Sequence, residues 1–221
     1  MSKSAESASR FRRAIKVFKR AFDMRPRIAR LALSMSGLTS ILANRPSHAY
    51  RYSTVEMWRL FKDIRKRKPE TVMEFGVGCS TLVIATALKK NGRGHLITVD
   101  GSEEWLRVCR NGMPADLASF VSFNYSPVEK LPDQHAHRYT RLPEAKLDYL
   151  FIDGPSVQHI PDWQGPPIAA DPVVSKMKFK RGACIAIEGR SANVDYLKPR
   201  LEPAWHMEKY WPHWTTFDFR Q

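Results

Sequence analysis

The stretch Glu74-Phe75-Gly76-Val77-Gly78-Cys79-Ser80-Thr81 decides the fold, because both of its flanks agree with it. Before it, Thr71-Val72-Met73 is a short apolar, β-branched run that predicts a buried strand. After it, Leu82-Val83-Ile84-Ala85-Thr86-Ala87-Leu88 predicts a helix that Asn91-Gly92 stops. A strand, a glycine turn and a helix start make a cradle for a polar ligand. Gly76 and Gly78 let the backbone come close, and the first helical turn offers N–H groups without an intrahelical partner. The same two glycines would also serve a bare strand-to-helix turn.

The next strand favours the ligand. His95-Leu96-Ile97-Thr98-Val99 ends at Asp100, 24 residues beyond Gly76. That is close to the spacing at which an acid meets a ribose hydroxyl in Rossmann-type sites. A dinucleotide fingerprint requires Gly or Ala three residues after its second glycine, and Thr81 stands there instead. Glu74, two residues before Gly76, would repel a pyrophosphate but attract an ammonium or sulfonium group.

With these residues the chain resembles the class I S-adenosylmethionine-dependent methyltransferases, whose first motif reads acidic-x-Gly-x-Gly-x-small. Glu74, Gly76 and Gly78 match it, and Ser80-Thr81 replaces the commoner third glycine. The resemblance continues through Phe120–Ser126, Leu147–Pro155 and Gly182–Gly189 as third, fourth and fifth strands. Glu74, Asp100, Ser126, Asp153 and Glu188 then fall at strand carboxyl ends, where open α/β sheets bind ligands. The implied fold is a Rossmann-like α/β sandwich with a mostly parallel sheet. Trp205–Phe219, alternating aromatic and polar residues around Pro212, supplies an antiparallel edge hairpin.

The resemblance also implies roles. Glu74 would hold the methionine end of the cofactor, with Gly76, Gly78, Ser80 and Thr81 beneath it. Asp100 would take the ribose, Gly101 and Ser102 would lie near the adenine with Trp105 as a lesser candidate, and Ser126 would close that side. Asp153 would sit near the methyl group and the acceptor, with His159 in the following loop as general base. A divalent metal is a lesser reading, since metal-dependent relatives carry an acid and an amide after the fifth strand and this chain has Glu188-Gly189-Arg190. An ion pair of Glu188 with Arg190 or Lys180 is the simpler expectation. His135 and His137 read as solvated loop, and Asp171–Lys180 reads as a helix. The Pro/Gly-rich loop 155–172 would shape an acceptor pocket, with Trp163 as its wall.

Charge divides the chain in two. Of 36 Lys/Arg and 22 Asp/Glu, residues 1–68 hold 18 and 4, so the whole net charge of +14 belongs there. The expected organisation is a basic helical extension, 1–68, and a cofactor-binding domain, 69–221. Phe11, Ile15, Phe18 and Phe22 recur at helical spacing among arginines and lysines, which suits an anionic membrane surface through residues 10–22 or docking on the domain. Nucleic acid is a weaker expectation, because no recognised binding motif accompanies the helix. Thr54–Arg67 predicts a further helix capped by Ser53, with Tyr50 and Tyr52 packing nearby. Leu31–Asn44 is uncharged but too short to span a bilayer.

Three scattered cysteines, Cys79, Cys109 and Cys184, argue against a disulfide framework and for a cytoplasmic protein, peripheral at a membrane if the basic helix binds one. The function expected is methyl transfer to an oxygen of a small-molecule, glycan or lipid-linked acceptor. A nicotinamide-dependent oxidoreductase on the same fold, or a non-catalytic membrane- or RNA-binding protein on this scaffold, stands as the alternative.

Overall fold

β1 (Thr71–Phe75) forms where the β-branched run begins, and its last four residues are fully buried. In the computed structural model, which describes residues 26–48, 50–132, 136–160, 165–210 and 213–220, it is the third strand of a seven-stranded sheet among the described residues. β2 (His95–Asp100) and β3 (Val121–Tyr125) extend the sheet on one side. β6 (Lys146–Ile152) and β7 (Lys178–Glu188) extend it on the other, all parallel to β1. β8 (Trp205–Tyr210) and β9 (Trp214–Phe219) pair antiparallel with each other, and β9 pairs with β7. The order β3-β2-β1-β6-β7-β9-β8 reverses between β1 and β6, so the switch-point crevice opens beside Gly76 and Asp153.

Two apolar layers cover the sheet. On one face, α4 (Cys79–Asn91) buries every residue from Cys79 to Leu88, because α3 (Thr54–Arg67) lies over it. α3 presents Met57, Leu60, Phe61 and Ile64 at helical spacing, and the Ser53 hydroxyl accepts the Glu56 N–H at its start. α1 (Pro26–Met35), α2 (Leu38–Ala43) and the short α6 (Ala115–Ala118) join this layer through Leu33, Leu38, Leu42 and Leu117. Each such aliphatic side chain contributes about 1.5–3 kcal/mol by leaving water. On the other face, α8 (Ser191–Leu201) buries Val194, Leu197 and Leu201 against Leu150, Ile185 and Phe217.

Three expectations are corrected. Asp171–Lys180 is not one helix: α7 (Asp171–Val174) stops after four residues, Lys176 takes a positive φ of 50°, and β7 already starts at Lys178. The polar run Lys178–Lys180 joins the sheet because Lys178 and Phe179 pair with Lys146 and Leu147. His137 is not solvated; it is 1% exposed, in β5 (His137–Tyr139), which pairs with β4 (Val128–Lys130) and bonds through its backbone to Ile168 and Ala170. Glu188 forms no salt bridge with Lys180, which bonds Glu70 and Asp148; Arg190 has its salt bridge with Asp153, although its charge still favours the ionised form of Glu188. The basic stripe of residues 10–22, His135 and Trp163 lie outside the described residues. No helix among the described residues is long and apolar enough to cross a membrane.

Candidate active site

The glycine turn is built around a close approach. Gly76 has φ +97°, and a β-carbon there would sit 3.0 Å from the Gly154 nitrogen. The ends of β1 and β6 therefore touch backbone to backbone. Above the turn opens a cavity of about 540 Å³, lined by Val77, Gly78, Cys79, Ser80, Asp153, Glu188 and the segment Tyr50–Ser53 with Glu56 and Met57. A β-carbon on Gly78 would meet only Tyr50, at 3.9 Å, so the space over this glycine is open. The volume is within the range of small-molecule sites.

Beneath the turn lies Glu74, with no exposed surface. Its Oε2 accepts the Thr81 hydroxyl at 2.6 Å and the Thr98 hydroxyl at 3.0 Å, while Thr81 Oγ1 accepts the Gly78 N–H at 3.0 Å. Burial pushes the carboxyl up to about 8, against the pull of the Ser80, Thr81 and Thr98 hydroxyls. Glu74 holds its proton more tightly folded than unfolded. The stability that this proton brings is complete below the ordinary value of 4.5 and is lost as the pH climbs through 8. Glu74→Gln should remove this loss, so its stability relative to wild type rises between pH 5 and pH 8, on the order of 2–4 kcal/mol by urea titration. An unchanged difference across that range would mean that Glu74 is ionised in the native protein.

Asp100, at the end of β2, is 6% exposed. Its Oδ2 accepts the Val77 N–H and its Oδ1 the Ser102 N–H, both at 2.8 Å. The Ser102 hydroxyl caps α5 (Glu103–Asn111) by accepting the Trp105 N–H, and Gly101 completes the turn between them. Ser126 is fully buried, and its Oγ accepts the Arg141 N–H at 2.9 Å. Thr81 and Ser126 thus use their hydroxyls within the protein, and Ser80, which borders the cavity, also faces Glu74 with its hydroxyl.

Asp153 exposes 48% of its side chain, toward the cavity. Desolvation by the surrounding walls raises its carboxyl to about 6, although Arg190 at 3.9 Å pulls it down. The Arg190 guanidinium also donates to the carbonyls of Asp153 and Pro155, anchoring the loop after β6. Glu188 is raised to about 9 by burial and by a carboxyl–carboxyl hydrogen bond to Glu56. His159 ends the short turn Val157–His159. Burial lifts the Cys79 thiol to about 11, which keeps it neutral and a poor nucleophile. Among the described residues no group of His, Cys, Asp and Glu is arranged to hold a metal ion.

Sequence reasoning missed Glu56 and the extent of the N-terminal wall. Tyr50 reaches across the turn: its hydroxyl donates to the Trp105 carbonyl at 2.9 Å, and the two rings lie 5.2 Å apart. The segment ahead of β1 thus both caps α3 and closes the cavity. Tyr50→Phe should lower the melting temperature by a few degrees, about 1 kcal/mol for one lost hydrogen bond, with the fold intact.

Residues 73–164 match the family model of a methyltransferase domain. That stretch is less than half of the chain, and it holds the end of β1, the glycine turn and the end of β6. The chain is similar in fold to a Podospora anserina methyltransferase solved with S-adenosylhomocysteine, at TM-score 0.55 and 12% identity over 78% of this chain and 81% of that one. A Bacillus cereus O-methyltransferase, also in complex with S-adenosylhomocysteine, gives TM-score 0.52 and 15% identity over 87% and 90%. Comparison with curated proteins gave no match.

Proposed function

We propose that this chain is an S-adenosylmethionine-dependent methyltransferase that acts on a hydroxyl of a small-molecule acceptor, glycan and lipid-linked hydroxyls included. The observation that carries the reading is the meeting of Asp153 and Glu188 with the glycine turn in one cavity. The Bacillus cereus neighbour, an O-methyltransferase by name, supports oxygen as the acceptor atom. S-adenosylmethionine supplies a methyl group on a positively charged sulfur when bound.

The chain's own residues do the rest. Gly76, Gly78, Ser80 and the first N–H groups of α4 cradle the methionine end, with Glu74 and Thr81 fixing the turn from below. Asp100, with Gly101 and Ser102 beside it, takes the ribose and adenine side, and Ser126 holds the wall behind them. Asp153, with its raised affinity for a proton, accepts the proton of the acceptor hydroxyl, and His159 is the second candidate for that role. Arg190 keeps the Asp153 carboxylate aimed at the cavity. Tyr50, Tyr52 and Met57 exclude water and align the acceptor, and alignment supplies much of the rate of an in-line displacement.

Calorimetric titration with S-adenosylmethionine, S-adenosylhomocysteine and NAD(H) tests the cofactor. Micromolar binding of the two adenosyl-sulfur ligands and none of NAD(H) is expected. Labelled-methyl transfer to a panel of phenols, sugars and amines then tests the acceptor. Transfer to amines alone would overturn the oxygen assignment.

A further inference from the structure

α1 buries only one side of its surface. Ala29 and Leu33 face the protein, and Ala29 packs with Val55 and Trp58 of α3. On the outer side stand Leu31, 63% exposed, and Met35, 82% exposed, one helical turn apart. Ile28, half-buried, continues their stripe. Beside it Arg27, Arg30 and Ser34, at positions i, i+3 and i+7, are exposed as well. A single exposed aliphatic needs no explanation, but two neighbours on one helix edged by arginines form a patterned face. The pattern is that of an interfacial helix: apolar side chains for the acyl boundary, cations for the headgroups. Charge agrees with it. Between Asp23 and Glu56 the sequence holds five arginines and no acidic residue, and the basic stripe of residues 10–22 leads into this segment. A helix of 10 residues is about 15 Å long, so α1 would lie on a bilayer and not cross it.

We propose that this outer face of α1, Leu31 and Met35 edged by Arg27 and Arg30, docks the protein on an anionic lipid bilayer. Leu31 and Met35 enter the acyl boundary. Arg27 and Arg30 keep their guanidinium groups at the headgroup phosphates while their stems follow the apolar surface. Both halves of the face are then used. Nucleic acid would answer the arginines but leave Leu31 and Met35 in water, and a neutral bilayer would leave the arginines without counter-charge. Docking here sets the cavity close to the lipid, because α1 rests on Val55 and the adjacent Glu56 and Met57 line the cavity. The face would bind lipid whatever the cavity holds, independently of the methyltransferase reading.

The test is co-sedimentation of the full chain with vesicles, either phosphatidylcholine alone or three parts phosphatidylcholine to one part phosphatidylserine. Wild type should bind the mixed vesicles, less tightly as salt rises, and bind phosphatidylcholine alone about tenfold more weakly or worse. Leu31→Gln combined with Met35→Gln should weaken binding to the mixed vesicles about tenfold or more. Arg27→Gln and Arg30→Gln should each cost about fivefold. The stripe of residues 10–22 is the same in every variant, so adsorption by that stripe alone would leave the Leu31/Met35 variant binding like wild type. That result overturns the role of α1. A folded wild-type protein that stays in solution with the mixed vesicles overturns the proposal too. So does a wild type that self-associates without lipid while the Leu31/Met35 variant is monomeric and binds vesicles equally, because the face would then join two copies of the chain. Both side chains lie outside the core and glutamine keeps the helix, so circular dichroism should show the variants folded like wild type.

Discussion

Gly154→Ala is expected to leave almost no folded protein. A β-carbon at this position would lie 2.6 Å from the Tyr139 hydroxyl oxygen and 2.7 Å from both the Gly76 nitrogen and the Phe75 carbonyl carbon. Two of these contacts are backbone, and that backbone is tied down. The Gly76 N–H bonds the Val99 carbonyl at 2.9 Å, and the Asp153 N–H bonds the Phe75 carbonyl at 3.0 Å. Relief would require β1 and β6 to part at the centre of the sheet. Overpacking without relief costs about 3 kcal/mol or more, a large part of a typical stability of roughly 5–15 kcal/mol. Gly78→Ala is the control, since its β-carbon meets only Tyr50 Cδ1 at 3.9 Å. That variant should fold, with cofactor affinity reduced by a methyl group in the cradle. Soluble yield and urea midpoint decide the matter. A Gly154→Ala protein within 1 kcal/mol of wild type would show that the two strand ends separate easily, contrary to the close approach described here.

The same crossing explains what could be read from the sequence. The glycine turn, its flanking strand and helix, and Asp100 depend on local patterns of apolar and small residues, and these survive in one dimension. The ends of β6 and β7 were legible because long apolar runs stop abruptly at Asp153 and Glu188. Other features have no local signal. Lys178-Phe179-Lys180-Arg181 has the polarity of a helix tail and becomes strand only because Lys146 and Leu147 offer an edge and Lys180 meets Glu70 and Asp148. His137 hides in a polar run, yet the three-residue ribbon of β4 and β5 turns it inward. Glu56 looks like any acid in a first helical turn, where it complements the helix dipole. Its meeting with Glu188 exists only once α3 lies across α4.

Asp100→Ala is expected to weaken S-adenosylhomocysteine binding on the order of a hundredfold, about 2.7 kcal/mol. The carboxylate clamps two turns together, Oδ2 on the Val77 N–H and Oδ1 on the Ser102 N–H, each at 2.8 Å. The resemblance to S-adenosylmethionine-binding folds puts a ribose hydroxyl as a donor to this same carboxylate. Alanine removes that acceptor and also frees the glycine turn, so the cradle must be ordered anew by each ligand. Loss of two charge-assisted hydrogen bonds should lower stability as well, by about 2–4 kcal/mol. Asparagine should not rescue binding: its amide nitrogen would confront one of the two N–H donors, leaving that donor unpaired. Calorimetry at fixed pH, with melting curves to confirm folding, separates the two effects. If the folded Asp100→Ala protein binds S-adenosylhomocysteine within threefold of wild type, the ribose contact lies elsewhere and Asp100 serves only as the clamp between the two turns.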